Sequence, residues 1–133
     1  MIVVDTNILA YRWLPGPQAE RVERLVVLDP DWAAPLLWRS EFRNVLFGYV
    51  RSGQLSTAEA EAALRLARQS LCAGEHLVED EAVLALATAS RCSAYDCEYA
   101  ALASALGTVL VTEDKALRNA FPRLCRSLAE MLG

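Results

Sequence analysis

The chain reads as a single α/β domain built around a parallel sheet. Three observations predict it. Short apolar runs alternate with longer stretches of helical periodicity, the pattern of strands joined by helical crossovers. Two of those runs, Ile2-Val3-Val4 and Val109-Leu110-Val111, are apolar throughout, as strands covered on both faces must be. A chain of 133 residues that is 54% hydrophobic is the right size for one core, and no repeat, low-complexity tract or linker divides it.

Residues 1–4 form the first strand. Helical spacing then places Val22, Leu25, Val26 and Leu28 on one side of "PQAERVERLVVL", a helix over 17–28. "DWAAP" (31–35) is a short strand candidate. In "LLWRSEFRNVLFGYV" (36–50), Trp38, Phe42, Val45, Leu46 and Tyr49 fall at i, i+4, i+7, i+8 and i+11, a single helical stripe. Ser56 and Glu59 stand at capping-box spacing at the start of a helix over 56–71. A brief strand is expected at 76–78 and a helix over 80–90. The alanine-rich "SAYDCEYAALASALG" (93–107) makes another helix, with Gly107 as its C-terminal cap. "TVLVT" (108–112) is the second buried strand, and "EDKALRNAF" is a short helix ended by Pro122. The tail from Leu124 fits no single pattern.

Composition excludes several functions. No stretch reaches membrane-spanning length and no leader pattern opens the chain, so a soluble, cytoplasmic protein is expected. The cysteines, Cys72, Cys92, Cys97 and Cys125, contain no C-x-x-C pair and read as reduced, mostly buried thiols. One histidine, His76, is too few for a multi-histidine metal site, and no G-x-S-x-G motif accompanies it. Residues 75–133 carry nine acids against five bases, a poor surface for duplex DNA. Twelve of the thirteen bases are arginine, so a local basic rim suited to phosphate remains open. Trp13, Trp32 and Trp38 sit among apolar neighbours and are expected in the core.

The informative residues are acids. Asp5 ends the first strand and Asp114 follows the second, so both fall at the carboxyl edge of the sheet, where parallel α/β proteins bind ligands. Each also suits a helix cap, and Asp114 has Arg118 at i+4 as a further partner. Asp96, three residues after Ser93, fits a capping box equally well; Ala100 and Ala103 on its helix face let that helix lie close to the sheet. Glu41 flanks the aromatic stripe of the 36–50 helix, with Asn44 at i+3. Together, the four would repel one another strongly if they converged, and bound divalent cations relieve such repulsion. Oxygen donors without histidine or cysteine select magnesium or manganese over zinc.

"VVDTNILAY", Glu41, "AYDCEYAALA" and "VLVTEDKAL" occur in that order across nearly the whole chain. In this combination the sequence resembles the PIN-domain ribonucleases, most closely the VapC-type toxins of bacterial toxin–antitoxin pairs. The resemblance implies a three-layer α/β/α sandwich with a central parallel sheet over residues 1–133. It implies Asp5, Glu41, Asp96 and Asp114 as catalytic metal ligands, with Thr6, Asn7 and Thr112 as supporting polar residues. It further implies Mg2+- or Mn2+-dependent cleavage of RNA by an activated water, leaving 5′-phosphate and 3′-hydroxyl ends. A homodimer and a cognate antitoxin partner are expected with it. Arg12, Arg39 and Arg43 are candidates for an RNA-binding rim. The chain departs from the family at "SRCSAYD", where relatives commonly carry a glycine, and at Glu113, an extra acid that either binds a second metal or faces solvent.

Two rivals come from other classes. A PIN-like module that binds RNA or a partner without cutting would keep the same acids. A phosphatase or receiver using Asp5 as nucleophile fits poorly, because Asn7 stands where such a phosphatase needs a second aspartate.

Overall fold

A computed structural model describes residues 1–133. Five strands make one wholly parallel sheet: β1 (Ile2–Val4), β2 (Trp32–Pro35), β3 (Glu75–His76), β4 (Leu110–Val111) and β5 (Cys125–Arg126), in the order β3-β2-β1-β4-β5. The helices are α1 (Thr6–Trp13), α2 (Ala19–Leu28), α3 (Leu37–Arg51), α4 (Thr57–Leu71), α5 (Asp80–Thr88), α6 (Ala94–Leu106), α7 (Lys115–Ala120) and α8 (Leu128–Leu132). From β1 the chain builds outward through β2 to β3, then returns to lay β4 on the other side of β1. Right-handed crossovers therefore put α1 to α4 on one face of the sheet and α5 and α6 on the other. The packing agrees. α1 touches α2, α3 and α4, whereas α6 lies across β1, β2 and β4 with α5 against it. The result is the expected three-layer α/β/α sandwich.

Every residue of β1 is buried, as its apolar run requires. Trp38, Phe42 and Leu46 of the α3 stripe are buried too, and the Trp38 indole donates to Glu75 Oε2 at 2.8 Å. The alanine face of α4 (Ala60, Ala63, Ala67, with Leu71) is consumed by packing within the monomer. Its capping box is complete: Ser56 Oγ accepts from Glu59 N–H at 3.1 Å and Glu59 Oε1 accepts from Ser56 N–H at 2.9 Å. Ser56→Ala should lower stability by about 1 kcal/mol in urea unfolding, with no effect on activity.

Gly107 closes α6 with φ 66°, the left-handed cap its position suggests. Gly74 answers a different demand. A Cβ there would stand 2.0 Å from the Trp32 carbonyl oxygen, because β3 enters the sheet hard against β2 and Ala34 N–H donates to Gly74 O at 2.9 Å. Gly74→Ala should cost roughly 2 kcal/mol or more, read as a lowered urea midpoint, since backbone rather than a side chain must give way.

Three elements have no counterpart in the pattern reading: α1, which begins directly after Asp5, and β5 and α8 in the tail. Cysteines 92, 97 and 125 are buried, whereas Cys72 is exposed. Trp32 and Trp38 lie in the core; Trp13 is half-buried under the Arg12 guanidinium, which lies 4.7 Å from its ring centroid and 5.1 Å from that of Trp32. No helix is long and apolar enough to cross a membrane.

Candidate functional site

The strand order reverses at β1, with β2 on one side and β4 on the other, so a crevice opens at the carboxyl ends of β1 and β4. The crevice is a cleft of about 210 Å3 lined by Asp5, Thr6, Asn7, Glu41, Asn44, Val45, Asp96, Tyr99, Asp114 and Leu117. All four acids singled out in the sequence meet there. Larger hollows elsewhere on the surface contain no comparable convergence of acids.

Each acid arrives from its own element. Asp5 follows β1 as the N-cap of α1, its Oδ1 accepting from Ile8 N–H at 3.1 Å. Asp114 caps α7 in the same way, with Oδ1 accepting from Leu117 N–H at 2.9 Å. Thr112 ties the pair together. Its hydroxyl, fully buried, donates to Asp5 Oδ2 and accepts from Asp114 N–H at 3.0 Å. Asp96 stands in the first turn of α6, whose buried Ala100 and Ala103 bring that helix down onto the sheet. The Ser93 hydroxyl accepts from Asp96 N–H at 3.0 Å, but the Asp96 carboxylate does not return to Ser93 N–H, so the capping box is only half formed.

Glu41 comes from the second turn of α3, on the opposite layer. Its Oε1 takes the Tyr99 hydroxyl at 2.5 Å and the Thr6 hydroxyl at 3.0 Å, and those two hydroxyls lie 2.6 Å apart. Tyr99 is 2% exposed. Nothing in the sequence pattern separates it from the apolar residues around it; its spacing of three from Asp96, on the same helix face, is the one available signal.

The electrostatics follow from burial and like charge. Burial raises the Asp5 carboxyl from 3.8 to about 6, against the hydrogen bonds from Thr112 and Ile8, with Asp114 and Glu41 pushing it further up. Asp96 is raised as well, by burial and then by Asp114 and Glu41, with Ser93 opposing. Burial and the Glu41 charge also raise the neighbouring Glu98. The Tyr99 phenol is pushed strongly upward by burial and by Glu41, so it remains a proton donor.

Neither sulfur nor imidazole lines the cleft; its donors are carboxylate, amide and hydroxyl oxygens. Glu41 Oε2 and Asp114 Oδ2 take no hydrogen bond from the protein. No three carboxylates are already gathered closely around one point. The donor set suits a hard divalent cation.

The remaining expectations divide. Thr6, Asn7 and Thr112 stand in or beneath the cleft. Arg12, Arg39 and Arg43 do not line it. Arg39 makes a paired contact with Glu75, Nε and Nη2 each 2.6 Å from a carboxylate oxygen, and Arg43 reaches Ser40 at 3.1 Å. Glu113 neither joins the acids nor points idly outward. Its Oε1 accepts from Leu128 N–H at 2.7 Å and so anchors the start of α8.

The PIN-domain family model matches residues 2–121. The chain belongs to the PIN-domain family. Among characterised members, it is 29% identical to ribonuclease VapC3 of Pyrobaculum aerophilum over 126 residues, 92% of this chain and 96% of that protein. The same PIN fold recurs in the crystal structure of PAE2754 from Pyrobaculum aerophilum (TM-score 0.77, 23% identity, 98% of this chain and 85% of that one). It recurs in FitAcB from Neisseria gonorrhoeae (TM-score 0.68, 23% identity, 97% and 99%). FitAB bound to the IR36 DNA fragment is similar at TM-score 0.70 and 17% identity, covering 96% and 95%.

Proposed function

We propose that this PIN-domain protein is a metal-dependent endoribonuclease and the toxin of a toxin–antitoxin pair, with Asp5, Glu41, Asp96 and Asp114 as its metal-holding residues. The observation that carries the reading is the convergence of four acids, from four separate elements, on one oxygen-lined cleft at the switch point. Evenly distributed capping acids would not raise one another's protonation energies; Asp5 and Asp96 both feel Asp114 and Glu41. The likeness to a protein named as a ribonuclease supports RNA as the substrate class.

A bound Mg2+ or Mn2+ ion would supply charge neutralisation and a more acidic water for phosphodiester hydrolysis. The chain's own residues provide the frame. Asp5 and Asp114 are held as rigid ligands by helix N–H groups and by Thr112, so neither must be ordered on binding. Asp96 brings a third carboxylate from the opposite layer. Asn7 and Asn44, exposed beside Asp5 and Glu41, are donors for a phosphate or ribose at the cleft mouth. No serine, cysteine or histidine nucleophile is required, in keeping with the cleft's lining. A cognate antitoxin covering this cleft, and a homodimer, complete the proposal.

A non-catalytic binding module is the alternative. It draws on the capping duties of Asp5 and Asp114 and on the open spacing of the carboxylates. Purified protein incubated with RNA pools in Mg2+, in Mn2+ and in EDTA separates the two. The nuclease reading expects cleavage with either ion, none with EDTA, and 5′-phosphate ends on the products. RNA retention without cleavage in any metal would favour the binding module.

A further inference from the structure

We infer that Tyr99 is a positioning residue, whose buried hydroxyl, together with that of Thr6, fixes one oxygen of Glu41 and leaves the other uncommitted. The inference rests on the metal-dependent reading of the site. Three oxygens, Tyr99 Oη, Thr6 Oγ1 and Glu41 Oε1, form a triangle with sides of 2.5, 2.6 and 3.0 Å. Tyr99 donates to Glu41 Oε1, and the same oxygen accepts from Thr6. Two hydroxyls on one carboxylate oxygen hold it more firmly than a lone phenol would.

The placement gives this network a purpose beyond satisfying a buried hydroxyl. Glu41 belongs to α3 on one face of the sheet, and Tyr99 to α6 on the other. Tyr99 also stands three residues after Asp96 on α6, so one helix both carries an acid and grips a second acid across the cleft. A glutamate has three rotatable bonds; the phenol and Thr6 between them hold its carboxylate to one oxygen without adding charge. Phenylalanine would fill the same buried volume, which confines the role of the hydroxyl to this network.

Calorimetric titration of Mn2+ into wild type, Tyr99→Phe, Thr6→Val and Asp5→Asn, with thermal melting and RNA cleavage on the same samples, tests the inference. Tyr99→Phe should weaken Mn2+ binding about tenfold, the scale of losing an outer partner of a metal ligand. It should lower kcat and leave KM for RNA unchanged. Thr6→Val should shift both in the same direction by less, and provides the test on its own if Tyr99→Phe does not fold. A Tyr99→Phe protein that melts earlier yet binds Mn2+ and turns over like wild type overturns the inference, leaving the hydroxyl as packing alone. In that case binding by wild type and its loss in Asp5→Asn would keep the nuclease reading intact. No Mn2+ binding by wild type would overturn both.

Discussion

Asp5→Asn should lower RNA cleavage by roughly a thousandfold or more, comparable to removing a principal electrostatic group from an active site. The substitution keeps the volume and one acceptor oxygen, so the bond from Ile8 N–H and the start of α1 survive. It removes the charge that Thr112 and the strand end hold at the centre of the cleft. Single-turnover cleavage of one defined RNA, at saturating enzyme, separates this loss from a change in binding. Retention of more than a tenth of the wild-type rate would mean that Asp5 is a helix cap and nothing more.

The same substitution should make the metal-free protein more stable at neutral pH. Asp5 has a folded-state pKa of about 6, above its unfolded value of 3.8, so between those values the native state binds the extra proton. Native stability therefore falls as pH rises through that window. The penalty is absent below it and complete above. At pH 7 it amounts to about 3 kcal/mol, reduced in practice by whatever the asparagine loses in hydrogen bonding. Asp96 is shifted in the same direction and adds to the slope. Asp5→Asn should raise the melting temperature in EDTA at pH 7 by roughly 5 °C and flatten the dependence between pH 4.5 and 7. Mn2+ should reverse the order, stabilising wild type and leaving the variant unmoved. A variant that melts below wild type at pH 7 in EDTA, with an unchanged pH slope, would contradict this account.

A buried acid at a strand end leaves a trace in sequence. Asp5 was legible because it interrupts a run that burial would otherwise keep apolar, and Asp114 because it follows the matching run in β4. Glu41 was harder to place, since most helix glutamates are solvated; its position beside the aromatic stripe, with Asn44 one turn on, put it at the edge of the buried face. β1, β2, β4 and the long helices were legible for the same reason, a pattern of apolar residues set by the faces they cover.

The remaining features depend on contacts distant in sequence. Tyr99 looks like one more core residue of an alanine-rich helix, and only its pairing with Glu41, 58 positions away, distinguishes it. Glu113 was unreadable because its partner, Leu128 N–H, belongs to a five-residue helix behind a two-residue strand, too short to show any period. α1 follows its strand without a loop, so its eight residues offered no turn to mark a boundary. Arg39 has the charge of an RNA contact, but Glu75, 36 residues away, holds its guanidinium.

The most direct test is a crystal soaked in Mn2+ and measured for anomalous scattering at the manganese edge. The account predicts a peak within the cleft, ligated by carboxylate oxygens of Asp5 and Asp114 and approached by Asp96 and Glu41, and its absence in crystals of Asp5→Asn. An empty cleft at a Mn2+ concentration that supports RNA cleavage, or a peak held by other residues, would contradict it.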